Sequence, residues 1–531
     1  MSRARGTTCA MATTFLLLIL AMAATISCLQ LELEALLQMA QTQVLQSKNF
    51  WVQASLGRVL HGSKVPSWKN HARGGSFSDC ARLYDESESL LARLLSDMMK
   101  SHYTDDDART WLSGVLANHR SCLDGLDHHE KGFVDQDHHV VAENLTTLLS
   151  EALAKLYVSD GSTGRTCTGG NPSGKKSSQN GGILTSWNPS TSSANFIVAK
   201  DGSGTHRTIN AAVVALSRMG RKPPERVIIS VKSGVYNEKV EIGWNMKNVM
   251  LVGDGIDKTI VTGNRNVLDG STTLNSATFG VSGDGFWARD ITFENTAGPY
   301  KHQAVALRVS SDRAVFYRCS FRGYQDTLCV HSLRKFYRDC HIYGTIDFIF
   351  GDAPAVFQNC DIFVRRPMRH QANMITAQGR VNPNENTGIA IQGCRIRSAS
   401  DLSAVKNTYR TFLGRPWKKY STTVFMKTNL DGLIDPEGWT EWSGNFALST
   451  LFYGEYMNTG IGASTQRRVK WPGFHVLKSP REASPFAAST FIQAESWIPV
   501  TGVPIWLGIE GVLSTSHNIL SILFSTRSIC I

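Results

Sequence analysis

Two aspartates stand at matching places in an internal repeat, and their spacing is the first sign of chemistry in this chain. One copy runs Phe316-Tyr317-Arg318-Cys319-Ser320-Phe321-Arg322-Gly323-Tyr324-Gln325-Asp326; the next runs from Phe336-Tyr337-Arg338-Asp339-Cys340 to Gly344-Thr345-Ile346-Asp347. Aligned on the cysteines, both read C-x3-G-x2-D with an offset of 21 residues, and Phe357-Gln358-Asn359-Cys360 starts a partial third copy 20 residues later. A period near 20 with short alternating apolar runs is the signature of stacked coils, the parallel β-helix kind of solenoid. Neighbouring strands in such a stack lie about 4.8 Å apart, so Asp326 and Asp347 are expected one above the other. Two carboxyls that close do not share one pKa; one can act as nucleophile while the other carries a proton.

Other polar residues fall in step with this pair. Gln303 precedes Gln325 by 22 residues, about one coil, and Leu413-Gly414-Arg415-Pro416-Trp417 lies further on. Two amides beside two carboxyls suit acyl transfer, because the amides donate to a developing oxyanion. An arginine can hold one carboxylate ionised as the nucleophile, leaving the other as general acid and then base. A stacked Asp or Asn can also serve only to satisfy backbone in a solenoid turn; the combination with Arg415 and Trp417 favours chemistry. The cysteines at 319, 340 and 360 read as a structural ladder. No G-x-S-x-G elbow occurs, which argues against a serine esterase of the α/β-hydrolase kind.

The elements that must position these residues begin near Phe196. Short β-prone runs such as Arg226–Val231, Val249–Val252 and Phe286–Phe293 are separated by Gly and Asn. The expected fold of residues 196–504 is an all-β parallel β-helix. Upstream, residues 29–158 are helical in pattern: Leu83, Leu90, Leu91, Leu94, Leu95 and Met98 recur at helical spacing, and Asp105, Asp106 and Asp107 favour a helix N-terminus. About four helices make an all-α four-helix bundle, in which Cys80 and Cys122 could join two helices. His128, His129, His138 and His139 read as a polar inter-helix loop rather than a metal site. Residues 159–195, rich in Gly, Ser, Thr and Asn, read as a flexible linker containing a dibasic pair, Lys175-Lys176.

Residues 1–28 have the pattern of an export signal or signal anchor, with Arg3 and Arg5 ahead of Phe15–Leu20. Export makes disulfides plausible and makes Asn144-Leu145-Thr146, the one N-x-S/T sequon with an allowed middle residue, a glycosylation candidate at Asn144. Residues 1–195 carry 17 Lys/Arg against 18 Asp/Glu, whereas 196–531 carry 38 against 26. The basic character belongs to the β-rich part and suggests an acidic partner: nucleic acid, an anionic membrane or an acidic polysaccharide.

The segments Gly234–Glu238, Gln303–Leu307, Gln325–Leu328, Asp347–Gly351 and Leu413–Trp417 resemble, in order, the five signature segments of the plant pectin methylesterases, whose fold is a right-handed parallel β-helix. The resemblance implies Asp347 as nucleophile on the C6 methyl ester of galacturonate, and Asp326 as acid for the leaving methanol and base for water. It implies Gln303 and Gln325 as oxyanion donors, Arg415 as partner of Asp347, and Trp417 and Thr273 as substrate contacts. Residues 29–158, through Asp79–Asp85, Thr110–Ser113 and Ser121–Gly125, are similar to the inhibitor domain carried as a pro-region by one class of these enzymes. The partners so implied are methyl-esterified homogalacturonan, a proteinaceous inhibitor and the chain's own pro-region, in the cell wall, with no cofactor, no metal and no nucleic acid. Disulfides Cys80–Cys122 and Cys360–Cys394 follow from the same resemblance, with Cys319–Cys340 a further candidate. The chain departs from the pattern in four ways. No cysteine lies between 28 and 80, and no Arg-Lys/Arg-Leu-Leu processing signal is present. Cys329 stands where a tyrosine is usual, and residues 505–531 form an atypical tail. The Asn-Thr-Asp, Gly-His-Gly and Arg-Ile-Lys segments of a polygalacturonase are absent.

Overall fold

The structure, a computed structural model, describes residues 30–56, 67–100, 102–129, 136–162, 182–220 and 224–509. It divides into two compact units, residues 1–174 and 175–531. The expected export segment, the side chains of the four inter-helix histidines and the tail beyond residue 509 lie outside the described residues. No helix among the described residues is long and apolar enough to cross a membrane.

The first unit is four helices: α1 over 30–56, α2 Ser67–Met99, α3 Asp105–His129 and α4 Gln136–Ser162. Thr104 caps α3, its hydroxyl accepting from the Asp107 amide at 3.1 Å, and three aspartates follow in the first turn. Leu37, Val44, Phe77, Leu83, Leu91, Trp111, Leu112, Leu145, Leu149 and Leu153 form the buried interior. Cys80 and Cys122 are disulfide-bonded across α2 and α3, as expected. His119 is buried between helices, one ring nitrogen 2.8 Å from the Tyr84 hydroxyl and the other 3.0 Å from the Thr146 hydroxyl. Burial depresses its pKa to about 3, so it works as a neutral hydrogen-bonding core residue. Asn144 is exposed on α4, but the hydroxyl of its sequon threonine is held by His119.

The second unit is a parallel β-helix. Strands pair in parallel from coil to coil in three sheets of 11, 7 and 8 strands. Each coil contributes successive strands to the three faces, as in Ala314–Tyr317, Ser320–Arg322 and Leu328–Val330. Between the first and second of these, one residue turns the chain through a left-handed conformation. That place is held by Asp290, Arg318, Asp339, Asn359 and Lys427, all with φ between 48° and 57°, and by Gly393 with φ 60°. The repeat register follows the cysteines. Phe316 pairs with Tyr337, and Tyr337 with Phe357. Their rings stack inside the coils at 5.0 and 4.4 Å between centroids.

Two sequence expectations need correcting here. Cys360 and Cys394 are free thiols, as are Cys319 and Cys340. The four lie on successive coils just past the left-handed turn, and each sulfur donates to the carbonyl two residues back: Tyr317, Arg338, Gln358 and Gln392, at 3.3 to 3.5 Å. The turn geometry thus satisfies each thiol locally, and the cysteines pack as small apolar residues. The linker also stops short of residue 195. Ile183–Ser186 is a helical turn, and Leu184 and Trp187 are buried in the β-helix unit. Arg289 fixes this segment by donating to the carbonyls of Leu184, Thr185 and Trp187 at 2.6 to 3.0 Å. The start of the C-terminal tail is docked too. The Trp506 amide and carbonyl both pair with the Gln358 side chain, at 2.9 and 2.7 Å, and Arg338 covers its ring at 4.2 Å.

Candidate active site

The site lies where the second face of each coil turns into the third. Strands Leu328–Val330 and Ile349–Gly351 pair in register, Leu328 opposite Ile349, so the residues two places earlier, Asp326 and Asp347, stack on adjacent coils. The Asp326 amide donates to the Ile346 carbonyl at 3.0 Å, and the Ala304 amide to the Gln325 carbonyl at 3.2 Å. Gln303, Gln325 and Asp326, and then Asp347, therefore follow one another up three coils. Both aspartates adopt φ values of 62° and 50°. Side chains rarely take this conformation, and holding it here is a cost that the surrounding ladder offsets.

Asp347 is gripped from one side by Arg415. Its guanidinium donates Nε to Oδ1 at 2.9 Å and Nη2 to Oδ2 at 2.6 Å. The Arg415 amide donates to the Thr376 carbonyl at 3.1 Å, which ties the end of strand Thr411–Gly414 to the catalytic face. Trp442, which is partly exposed, lies over the same guanidinium at 4.3 Å. Both carboxyls are buried. Burial and then the facing Asp347 push Asp326 well above the usual carboxyl range, with Arg415 opposing. Burial also raises Asp347, but the hydrogen bonds and charge of Arg415 act against it. Of the pair, Asp326 therefore keeps a proton the more readily, and Asp347 is the member whose ionised form the guanidinium favours.

The groove floor is apolar. Ala277, Val305, Cys329, Phe350 and Ala377 are buried together, with Leu274 and Trp417 against them. Trp417 meets Phe350 edge-on at 6.2 Å. Cys329 is on strand Leu328–Val330, directly across from Phe350, and contributes to this floor. Thr273 precedes the short helical turn Leu274–Ser276, whose Ser276 hydroxyl donates to the Thr273 carbonyl at 2.6 Å and accepts from the Val305 amide at 3.1 Å. Gln303 and Gln325 are half-buried at the groove edge. The first segment singled out in the sequence serves the fold instead: Glu238 accepts from the amides of Ile209 and Asn210 at 3.0 and 2.9 Å and so caps helix Ile209–Ser217. Trp442 was not singled out in the sequence. Its only signal there is a second tryptophan in the turn-rich stretch Gly438-Trp439-Thr440-Glu441-Trp442.

A stacked, buried carboxyl pair, one partner gripped by arginine, on a coil of parallel strands is the candidate site of a β-helix enzyme. The family model for pectinesterase matches residues 195–495, and that for plant invertase/pectin methylesterase inhibitor matches residues 23–154. The chain is 58% identical over 502 residues to probable pectinesterase/pectinesterase inhibitor 36 of Arabidopsis thaliana, covering 89% of this chain and 94% of the relative. It is 49% identical to pectinesterase 2 of Citrus sinensis, covering 84% of each. The solved pectin methylesterase from carrot superposes with a TM-score of 0.58 at 53% identity, over 60% of this chain and 99% of that one. The chain belongs to the pectinesterase family, with an inhibitor-like helical region ahead of the enzyme, and is thereby a carboxylic ester hydrolase.

Proposed function

We propose that this protein hydrolyses the methyl esters of homogalacturonan in the cell wall through an Asp347 acyl-enzyme. The observation that carries the reading is the asymmetry of the pair: Asp347 in the two-pronged grip of Arg415, and Asp326 buried beside it with its pKa raised. Asp347 attacks the ester carbonyl carbon. The amides of Gln303 and Gln325 donate to the oxyanion. Collapse breaks the C–O bond, and Asp326 gives its proton to the departing methoxide, which leaves as methanol. Asp326, now ionised, takes a proton from water; the hydroxide attacks the acyl carbon, releases Asp347, and leaves a free galacturonate. Trp417 and Thr273 line the sugar path. The excess of Lys and Arg in residues 196–531 suits a substrate that becomes a polyanion.

The helical unit acts as a tethered inhibitor in this reading, and a separate proteinaceous inhibitor would take the same groove. The support is the inhibitor-family match over residues 23–154. A tether raises local concentration, so even a weak contact suppresses turnover.

The test is methanol release from methylated pectin. Asp347→Asn, nearly isosteric, abolishes it in a protein that still folds, because the amide cannot form the acyl-enzyme. Asp326→Asn is severely impaired in kcat. Wild-type turnover by folded Asp347→Asn, or an Asp326→Asn defect confined to KM, refutes the assignment.

A further inference from the structure

Asp352 and Glu385 form a second pair of buried carboxyls. Asp352 lies five residues past Asp347, and Glu385 is in the loop between strands Asn373–Gln378 and Gly388–Gln392. Asp352 is 7% exposed and Glu385 2%. Every visible donor to the pair goes to two of the four oxygens. Asp352 Oδ1 accepts from Gln378 Nε2 at 3.1 Å and Thr387 Oγ1 at 2.6 Å. Glu385 Oε2 accepts from the amides of Val381 and Asn382 at 3.0 and 2.7 Å. Glu385 Oε1 is buried with no hydrogen-bond partner, and each carboxyl is close enough to the other to shift its titration. A carboxylate oxygen in that position is costly; a carboxylic O–H is not. Burial, and then the Asp352 charge, push Glu385 well above the usual range, while burial raises Asp352 to about 6. The charged group facing both is Arg380, and it opposes the rise in each.

This pair holds the groove wall through short links. Gln378, bonded to Asp352, accepts with its other end from the amides of Arg380 and Thr422 at 3.0 and 2.8 Å. The Arg380 carbonyl accepts from the Tyr420 amide at 3.0 Å. Between them Gly379 lies flat under Trp417, so close that a Cβ there would stand 2.9 Å from the indole. We propose that Asp352 and Glu385 share one proton, and that this shared proton fixes the loop 379–387 on which Trp417 rests. They are positioning residues: they act on substrate binding through Trp417, not on the reacting atoms. The role rests on the ester-hydrolase reading for its kinetic readout only.

Loss of the proton puts two charges in one buried site, so the wall loosens as pH rises through the raised titration of the pair. The catalytic carboxyls act on kcat and leave that signature in KM alone. In the wild type, KM for a methyl-esterified oligogalacturonide is expected to rise about fivefold between about pH 6 and about pH 9, equivalent to about 1 kcal/mol of binding. Glu385→Gln keeps the acceptor for Val381 and Asn382 and offers Asp352 a permanent N–H, so its KM stays flat while its kcat profile matches wild type. Asp352→Asn behaves likewise. The double variant sets one NH2 against another and has a raised KM at every pH. Hydrogen exchange of the backbone in 376–390 and 412–424, corrected for intrinsic rate, gives a readout independent of turnover. Protection falls with rising pH in the wild type and holds in Glu385→Gln. Indistinguishable exchange profiles for wild type and Glu385→Gln overturn the proposal, as does a KM that rises equally in both. Absence of turnover in all forms refutes the ester-hydrolase reading, and the exchange data then decide this one alone.

Discussion

Replacing Arg415 by lysine tests the catalytic pair most directly, because it keeps the charge and removes the geometry. The guanidinium places two parallel donors on the two oxygens of Asp347, at 2.9 and 2.6 Å, in a site where Asp347 is 5% exposed. An ammonium on a flexible stem can meet one oxygen but cannot reproduce the planar fork. One charge-assisted hydrogen bond is lost, worth about 1.5–3 kcal/mol. If that stabilisation is needed to keep Asp347 ionised and aimed, kcat falls by about 10- to 150-fold at the optimum. The pH dependence gives an independent check. Asp347 must be ionised, so activity is present above its pKa and lost as pH falls through it. Weaker stabilisation of the anion raises that pKa further, and the acid limb of kcat moves toward neutrality in Arg415→Lys. The alkaline limb belongs to Asp326, which must be protonated, and is lost as pH rises through its own raised value. Initial rates of methanol release across pH, with the melting curve as a fold control, measure both effects. A kcat within twofold of wild type and an unmoved acid limb would refute the reasoning and leave Arg415 a mere attractor for the substrate chain. Arg415→Ala is the harsher form: a buried carboxylate loses its only ion-pair partner seen here, a change that costs about 3–5 kcal/mol where such pairs are broken.

Three further outcomes are expected. A chain beginning at Gly181 has higher specific activity on methylated pectin than the unprocessed protein at equal folded concentration; equal rates would leave the helical unit a role in folding or export alone. Mapping under non-reducing conditions finds Cys80 joined to Cys122 and alkylates Cys360 and Cys394 after denaturation. Cys80→Ser destabilises the helical unit by about 4 kcal/mol, the loop-closure value for its separation of 42 residues. A smaller loss, read from denaturant melts, would mean that the buried core alone holds α2 against α3.

The site was legible in the sequence where chemistry coincides with the coil period. Asp326 and Asp347 share a frame because the cysteines four residues ahead of each glycine share one, and the strand register obeys that frame rather than the Phe-Tyr-Arg string that also repeats. Arg415 was legible as a candidate by its chemistry, but its pairing with Asp347 came through the resemblance, since 68 residues of chain separate the two and no periodicity links them. The docked segment at Leu184 and Trp187 was not legible at all. Its composition matches a linker, and what orders it is Arg289, about a hundred residues away, spending its donors on three carbonyls.

The cysteines show how one residue type misleads and informs at once. Three of them at coil spacing, with Cys394 further on, invite pairing in a chain expected to be exported, and their backbones do stack on adjacent coils. Stacking is also what makes pairing unnecessary: the same left-handed turn brings the same carbonyl to each sulfur, so every thiol is satisfied within its own coil. The two carboxyl pairs obey the opposite rule. Asp326 with Asp347, and Asp352 with Glu385, each bring together groups that cannot both be charged where they sit. In the proposed mechanism the first pair resolves the conflict with an arginine that favours Asp347 as the anion, which leaves Asp326 to serve as the acid. The second faces Arg380, whose guanidinium also donates to the carbonyls of Asn382 and Pro383 and to the Thr422 hydroxyl. In the proposal above, a shared proton joins the two segments there without making either group reactive. On the two proposals, then, it is the two-pronged contact of Arg415 with Asp347 that marks the pair assigned to chemistry off from the pair assigned to positioning Trp417.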